Sequence, residues 1–167
     1  MAKIITFSSQ KGGVGKTTSS VHLATAFALG GYKTLLMDLD PQGSVLHSLT
    51  VQDKTGLGIR EIFCTPNVSL QEIVQASKHQ NLDLLLSNIV DLLTEQTVIN
   101  IAADYYHVSQ WIERNAIQSY EFIIIDAPAS TNSLSINAML AADLIIVPLE
   151  CETLAIKSLK RFLQAFK

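Results

Sequence analysis

Ser8-Ser9-Gln10-Lys11-Gly12-Gly13-Val14-Gly15-Lys16-Thr17-Thr18 follows directly on a short apolar, β-branched segment, Lys3-Ile4-Ile5-Thr6-Phe7. Glycines at 12, 13 and 15 let the backbone turn tightly and aim its N–H groups inward. A triphosphate can then sit where a helix begins and the helix dipole is positive. Lys16 is placed to hold β- and γ-phosphate oxygens, and the Thr17 hydroxyl to ligate Mg²⁺, with phosphate and water filling the other positions of the cation. Lys11, Gly12, Gly13, Val14, Gly15, Lys16, Thr17 and Thr18 together form the expected nucleotide cradle.

A glycine-rich turn by itself also fits a flexible loop with incidental lysines. The context argues for the cradle: residues 3–7 read as a strand, and Thr18 to Leu29 carries Val21, Leu23, Ala24, Phe27 and Ala28 at helical spacing before Gly30-Gly31 stops the helix. The start of the loop departs from ordinary P-loop spacing, which would put its first glycine at Gln10; Lys11 follows instead. A second ammonium so close to the phosphates is costly without an anion. Lys11 is therefore expected to face a phosphate, across a subunit interface or on its own nucleotide.

Outward from this loop, apolar runs alternate with helical patterns, which is the βαβ signature. Strands are expected near 3–8, 34–39, 82–86, 121–126 and 144–148, and helices over 18–29, 59–63, 69–77, 92–117, 133–142 and 153–166. The runs Thr34-Leu35-Leu36-Met37, Leu82 to Leu86 and Phe122-Ile123-Ile124-Ile125 are continuous rather than alternating. Parallel strands covered on both faces by helices have this pattern, so the fold class is α/β with a doubly wound, mostly parallel sheet. With 167 residues and 48% hydrophobic content the chain can bury one good core, and one domain over 1–167 is expected. No apolar stretch reaches membrane-spanning length and a strand occupies the position of a signal peptide, so the expected location is the cytoplasm.

Cys64 and Cys151 lack C-x-x-C spacing, which argues against a disulfide framework or a zinc site. Net charge is −3 with no basic block, so composition gives no sign of nucleic-acid binding. His22, His47, His79 and His107 are dispersed and form no ligand pair. Trp111, Tyr105 and Tyr106 fall in the amphipathic stretch 92–117, where aromatics are read as core.

Two carboxylate motifs complete the chemistry. Met37-Asp38-Leu39-Asp40-Pro41-Gln42-Gly43 ends the second strand, on the edge where open α/β sheets bind ligands. Asp38 is expected to support the Mg²⁺ shell and Asp40 to orient or deprotonate an attacking water. The bland alternative is an ordinary Asp-Pro-Gln-Gly turn. Tyr120 to Pro128 is an apolar strand ending in Asp126, which is expected to hold Mg²⁺, where an isolated aspartate could as well cap a helix.

Lys11-Gly12-Gly13-Val14-Gly15-Lys16-Thr17-Thr18 resembles the hallmark of the deviant Walker A ATPases of the ParA/MinD superfamily. Asp40-Pro41-Gln42-Gly43 resembles the switch I segment of its ParA/Soj-type partition ATPases. The resemblance implies a P-loop NTPase fold, ATP and Mg²⁺ as cofactors, and Lys11, Lys16 and Asp40 as catalytic residues, with Lys11 acting in trans, Gln42 nearby, and Thr17, Asp38 and Asp126 on the metal side. It implies slow, partner-stimulated ATP hydrolysis and a homodimer formed on ATP. It also implies nonspecific DNA binding, hence association with the nucleoid, a centromere-binding ParB-like partner, and plasmid or chromosome partition. The family usually writes Asp-x-Pro-Pro in switch II, where this chain has Ala129. Members usually continue beyond the helix that follows Val147 to Glu152, so the chain is expected to lack a C-terminal portion that contacts adenine. Two other readings stay open: a nucleotide-gated interaction module without turnover, and a MinD-like ATPase whose amphipathic stretch Leu154 to Lys167 lies on a membrane. The stretch itself is read as an ordinary sheet-covering helix rather than a membrane helix, since amphipathicity is what any covering helix needs.

Overall fold

The structure, a computed structural model, describes residues 2–51, 56–115, 119–152, 156, 159–160 and 163. Six strands form one sheet in the order β3-β4-β2-β5-β1-β6. They are β1 (Lys3–Phe7), β2 (Thr34–Asp38), β3 (Gln75–Ala76), β4 (Leu82–Leu85), β5 (Phe122–Asp126) and β6 (Leu144–Ile146). All neighbouring pairs are parallel except β3 with β4. The helices are α1 (Lys16–Leu29), α2 (Ile59–Cys64), α3 (Leu70–Ile73), α4 (Leu92–Ile101), α5 (His107–Arg114) and α6 (Ser133–Leu140), with a 3₁₀ turn at Ser44–His47.

The unbroken apolar strands have the expected cause. Leu35 and Met37 of β2 and Ile123 and Ile125 of β5 join one core with residues of α2, α4, α5 and α6. Leu36 and Ile124, pointing to the opposite face, join a second core with Ile5, Phe7 and the α1 residues Val21, Ala24 and Ala28. Because side chains alternate along a strand, a run with no polar interruption is what two covered faces require.

Two expected helices are corrected. The stretch 69–77 forms only the turn α3, after which Gln75 and Ala76 extend and pair antiparallel with Leu84 and Asp83 of β4. The Ser69 N–H donates to Glu72 at 2.7 Å, which starts the turn, but the sheet edge offers residues 75–76 hydrogen bonds that outweigh helix propensity. Within the stretch expected as one helix over 92–117, the described residues 92–115 form two helices, α4 and α5, broken at 102–106. The buried side chain of Asn137 in α6 holds the break: its Nδ2 donates to the Ala102 carbonyl at 2.8 Å and its Oδ1 accepts from the Val108 N–H at 3.3 Å. Leu92 and Leu93, expected on the apolar face, are 84% and 79% exposed, whereas Val98, Val108, Trp111 and Ile112 are core. Helix α1 begins two residues earlier than expected, at Lys16. The expected helix over 153–166 and Ile117 lie outside the described residues, apart from Ile156, Leu159, Lys160 and Leu163.

Candidate nucleotide site

Register brings the chemistry to one edge. Asp126 of β5 pairs with Phe7 of β1 on one side and with Asp38 of β2 on the other, so both acids stand level with the start of the glycine loop at the carboxyl end of the sheet. The loop leaves β1 at Ser8 and delivers Lys16 as the first residue of α1. Gly13 and Gly15 have φ of 78° and 84°, and a Cβ built on Gly12, Gly13 or Gly15 meets nothing within 4 Å. The hollow of the loop is open space, shaped by backbone that only glycine adopts without strain.

Two sequence-expected residues meet directly. The Thr17 hydroxyl donates to Asp126 Oδ2 at 2.6 Å, joining the helix start to the end of β5 across 109 residues of sequence. Asp126 is fully buried, and its Oδ1 has no hydrogen-bond partner among the described residues. Lys16 is 7% exposed, and its Nζ lies 3.5 Å from the Lys11 carbonyl. A hard cation sharing Thr17 and reached by the spare Asp126 oxygen suits this donor set. No three His, Cys, Asp or Glu side chains form a cage among the described residues.

Burial pushes the Asp126 carboxyl up to about 6 and Asp40 adds to the rise, while the Thr17 hydrogen bond and Lys16 pull it back. Burial pushes Asp38 up to about 8, reinforced by the neighbouring Asp126. Both Asp38 oxygens are occupied, Oδ1 by the Asp40 N–H at 3.2 Å and Oδ2 by the Val45 N–H at 3.1 Å. Asp38 thus fastens both ends of the loop that presents Asp40. The Asp40–Gly43 turn does form, with the Gly43 N–H on the Asp40 carbonyl and the Gln42 N–H on Asp40 Oδ1, and it keeps Asp40 half-buried on the site edge. Turn and chemical reading are therefore compatible.

In the segment after β5, Ala129 stands where the resemblance expects a second proline, and it is exposed. Hydrogen bonds hold the segment instead: the Ser135 hydroxyl donates to the Pro128 carbonyl at 3.2 Å, and Asn132 caps α6 by accepting from the Ser135 N–H at 3.1 Å. Lys11 is exposed, and its ammonium pairs with Glu150 and, at 3.5 Å, with Glu152 of its own chain. Those acids, Ser135 and Asn137 had no expected role. For the glutamates, the available signal was a pair of acids flanking Cys151 just past an apolar strand. A separate cleft of about 460 Å³ between α2 and α5, lined by Phe63, Val68, Trp111 and Arg114 among others, includes none of the residues from 8–18, Asp38, Asp40 or Asp126.

A family model described as AAA domain matches residues 2–167. The chain belongs to that family. Among curated proteins it is 32% identical to the sporulation initiation inhibitor protein Soj of Bacillus subtilis, over all of this chain and 66% of that one. It is 34% identical to the chromosome-partitioning ATPase Soj of Treponema pallidum, over all of this chain and 64% of that one. A plasmid partition protein from Borrelia burgdorferi superposes with a TM-score of 0.82 at 30% identity, covering 98% of this chain and 73% of that one. Cobyrinic acid a,c-diamide synthase from Mycobacterium smegmatis, solved with a bound ATP analogue and magnesium, superposes at 0.84 with 31% identity, covering 98% and 66%. Within the family the chain is of the ParA/Soj type, with the doubly wound P-loop fold. It spans about two thirds of the length of these Soj relatives. No helix among the described residues is long and apolar enough to cross a membrane.

Proposed function

We propose that this chain is the nucleotide-binding part of a ParA-type switch that binds ATP with Mg²⁺, dimerises face to face on it, hydrolyses it slowly, and is reset by a ParB-like partner while the dimer holds nonspecific DNA in the cytoplasm. The observation that carries the reading is the Thr17–Asp126 pair with its spare buried oxygen, set at the mouth of an open glycine loop. Similarity to the Soj and plasmid partition proteins supports it.

The proposal assigns these residues the following roles. The N–H groups of residues 12–17 and the Lys16 ammonium bind the phosphates, since both are charge-assisted donors at a helix N-terminus. Thr17 and Asp126 would hold Mg²⁺, which would supply positive charge to neutralise the phosphates. Asp38 holds the loop that aims Asp40, and Asp40 orients the attacking water or accepts its proton. Lys11 from the partner subunit stabilises charge building on the transferred group, as an arginine finger does.

Light scattering with Mg·ADP and with Mg²⁺ plus a nonhydrolysable ATP analogue, followed by turnover on the same sample, tests this. Dimer with the analogue alone is the expected result. In Lys11→Ala, both dimer and turnover fall, turnover on the order of 10³-fold. Asp40→Ala keeps an ATP-bound dimer that hydrolyses slowly. Full turnover in Lys11→Ala would remove the trans role, and undiminished turnover in Asp40→Ala would remove the catalytic one.

A further inference from the structure

Lys11 is already engaged without a second subunit. Its ammonium lies between two carboxylates, Glu150 and Glu152, contributed by the segment just past β6, 139 and 141 residues away in sequence. The contact crosses the sheet edge from the loop after β1 to the loop after the neighbouring strand β6, which are held in parallel register by the pairing of Phe7 with Ile146 and by the Ser8 N–H on the Ile146 carbonyl. The two loops leave adjacent strands at the same level, so the pairing is fixed by the fold rather than by a chance surface encounter.

We propose that Glu150 and Glu152 are positioning residues for Lys11: they hold its ammonium in the single chain, and phosphate must displace them before the lysine can serve a nucleotide. This rests on the ATP-dependent dimer proposed above. The argument is one of competition. An ammonium has three donors, and two carboxylates on it satisfy its charge about as well as phosphate oxygens would. The side chains are 39% to 57% exposed, so the hold is modest and screened by solvent. A weak hold is what a releasable lysine requires, because a buried pair would cost too much to break. The glutamate hydrogen bond also raises the Lys11 pKa, which keeps the side chain charged until release. The pair thus sets a threshold: nucleotide must supply more than the glutamates do before Lys11 changes partner.

The Glu150→Gln/Glu152→Gln double variant tests this in two ways. Acetylation of Lys11 by acetic anhydride, read by mass spectrometry against Lys3 and Lys78 in the same sample, reports the pair without reference to any dimer. The rate at Lys11 should rise severalfold in the variant, since an unpaired amine loses its proton more readily. Light scattering against analogue concentration then reports the competition, and half-maximal dimerisation should move to about two- to fivefold lower nucleotide. An unchanged Lys11 acetylation rate overturns the pair. A raised rate with an unchanged or higher dimerisation midpoint overturns the competition. If neither protein dimerises at any concentration, the dimer reading fails and the competition fails with it, while acetylation still decides whether the glutamates hold the lysine. The single Glu152→Gln variant, which leaves Glu150 on the ammonium, should acetylate Lys11 nearly as slowly as the wild type, and a rate as high as in the double variant would remove Glu150 as the main partner.

Discussion

At the scale of single residues the site hangs on one hydroxyl. Thr17 gives Asp126 a 2.6 Å hydrogen bond in a place where the other carboxylate oxygen has nothing among the described residues, so this contact is the main compensation for burying the acid. Thr17→Val keeps the shape and removes the donor. It should lower unfolding free energy by about 1–3 kcal/mol in urea titration and weaken nucleotide binding in Mg²⁺ more than in EDTA; equal weakening in both would show that Thr17 does not act through the cation. Thr17 and Asp126 could be read from sequence because each belongs to a local motif: a loop shape fixed by glycines, and an acid ending an apolar strand. The Lys11 partners could not. Glu150 and Glu152 come near only because β1 and β6 are neighbours in space, and two acids around a cysteine carry no periodicity. The position of Asp38 was legible, but its occupation by the backbone N–H groups of Asp40 and Val45 was not, since it depends on how the chain turns after Asp40.

At the scale of elements, every strand but the two-residue edge strand β3 was legible, and the helical layer on the α2–α6 side was less so. Strand runs such as Phe122-Ile123-Ile124-Ile125 declare themselves because a strand covered on both faces has no polar positions. The break between α4 and α5 has no such mark. It depends on Asn137, whose amide reaches the end of one helix and the start of the next from a third helix some thirty residues on. The same α6 is fastened to the Pro128–Asn132 segment through Ser135 and Asn132, so one short helix ties that segment to α4 and α5. Asn137→Ala strips the Val108 N–H and the Ala102 carbonyl of their partner in a buried place. The expected cost is about 2–4 kcal/mol in chemical denaturation, roughly the sum of two unsatisfied groups, with faster amide exchange at Val108. A loss below 0.5 kcal/mol, taken here as about the size of an ordinary surface change, would mean that water replaces the amide and that the break is not held there.

At the scale of the whole molecule the two buried carboxyls make stability depend on pH in a definite direction. Asp38 stands at about 8 and Asp126 at about 6, both above the ordinary value of 3.8, because burial disfavours their charged forms. Below about pH 4 each is protonated in the folded and unfolded chain alike. Between pH 4 and 8 the unfolded chain releases protons that the folded chain retains, so the folded state binds more protons and stability falls as pH rises. The nucleotide-free protein should therefore show a melting temperature that declines from pH 5 to pH 8, opposite to the usual acid destabilisation. Asp126 contributes in the lower part of this range and Asp38 throughout. Mg·ADP should change the shape as well as the height of the curve. Ligand bound to the folded state alone adds about 2.7 kcal/mol at one hundred times its dissociation constant. A cation near Asp126 also favours its ionised form, so the decline contributed by that residue between pH 4 and 6 should flatten. Asp38 spends both oxygens on backbone N–H groups, so its part of the decline, continuing to pH 8, should survive the ligand and vanish in Asp38→Asn. Calorimetric scans of both proteins, with and without Mg·ADP across this range, separate the two acids. A wild-type curve that rises with pH would show that neither carboxyl is held up by burial, and a ligand that raised the whole curve without flattening its lower part would place the cation away from Asp126.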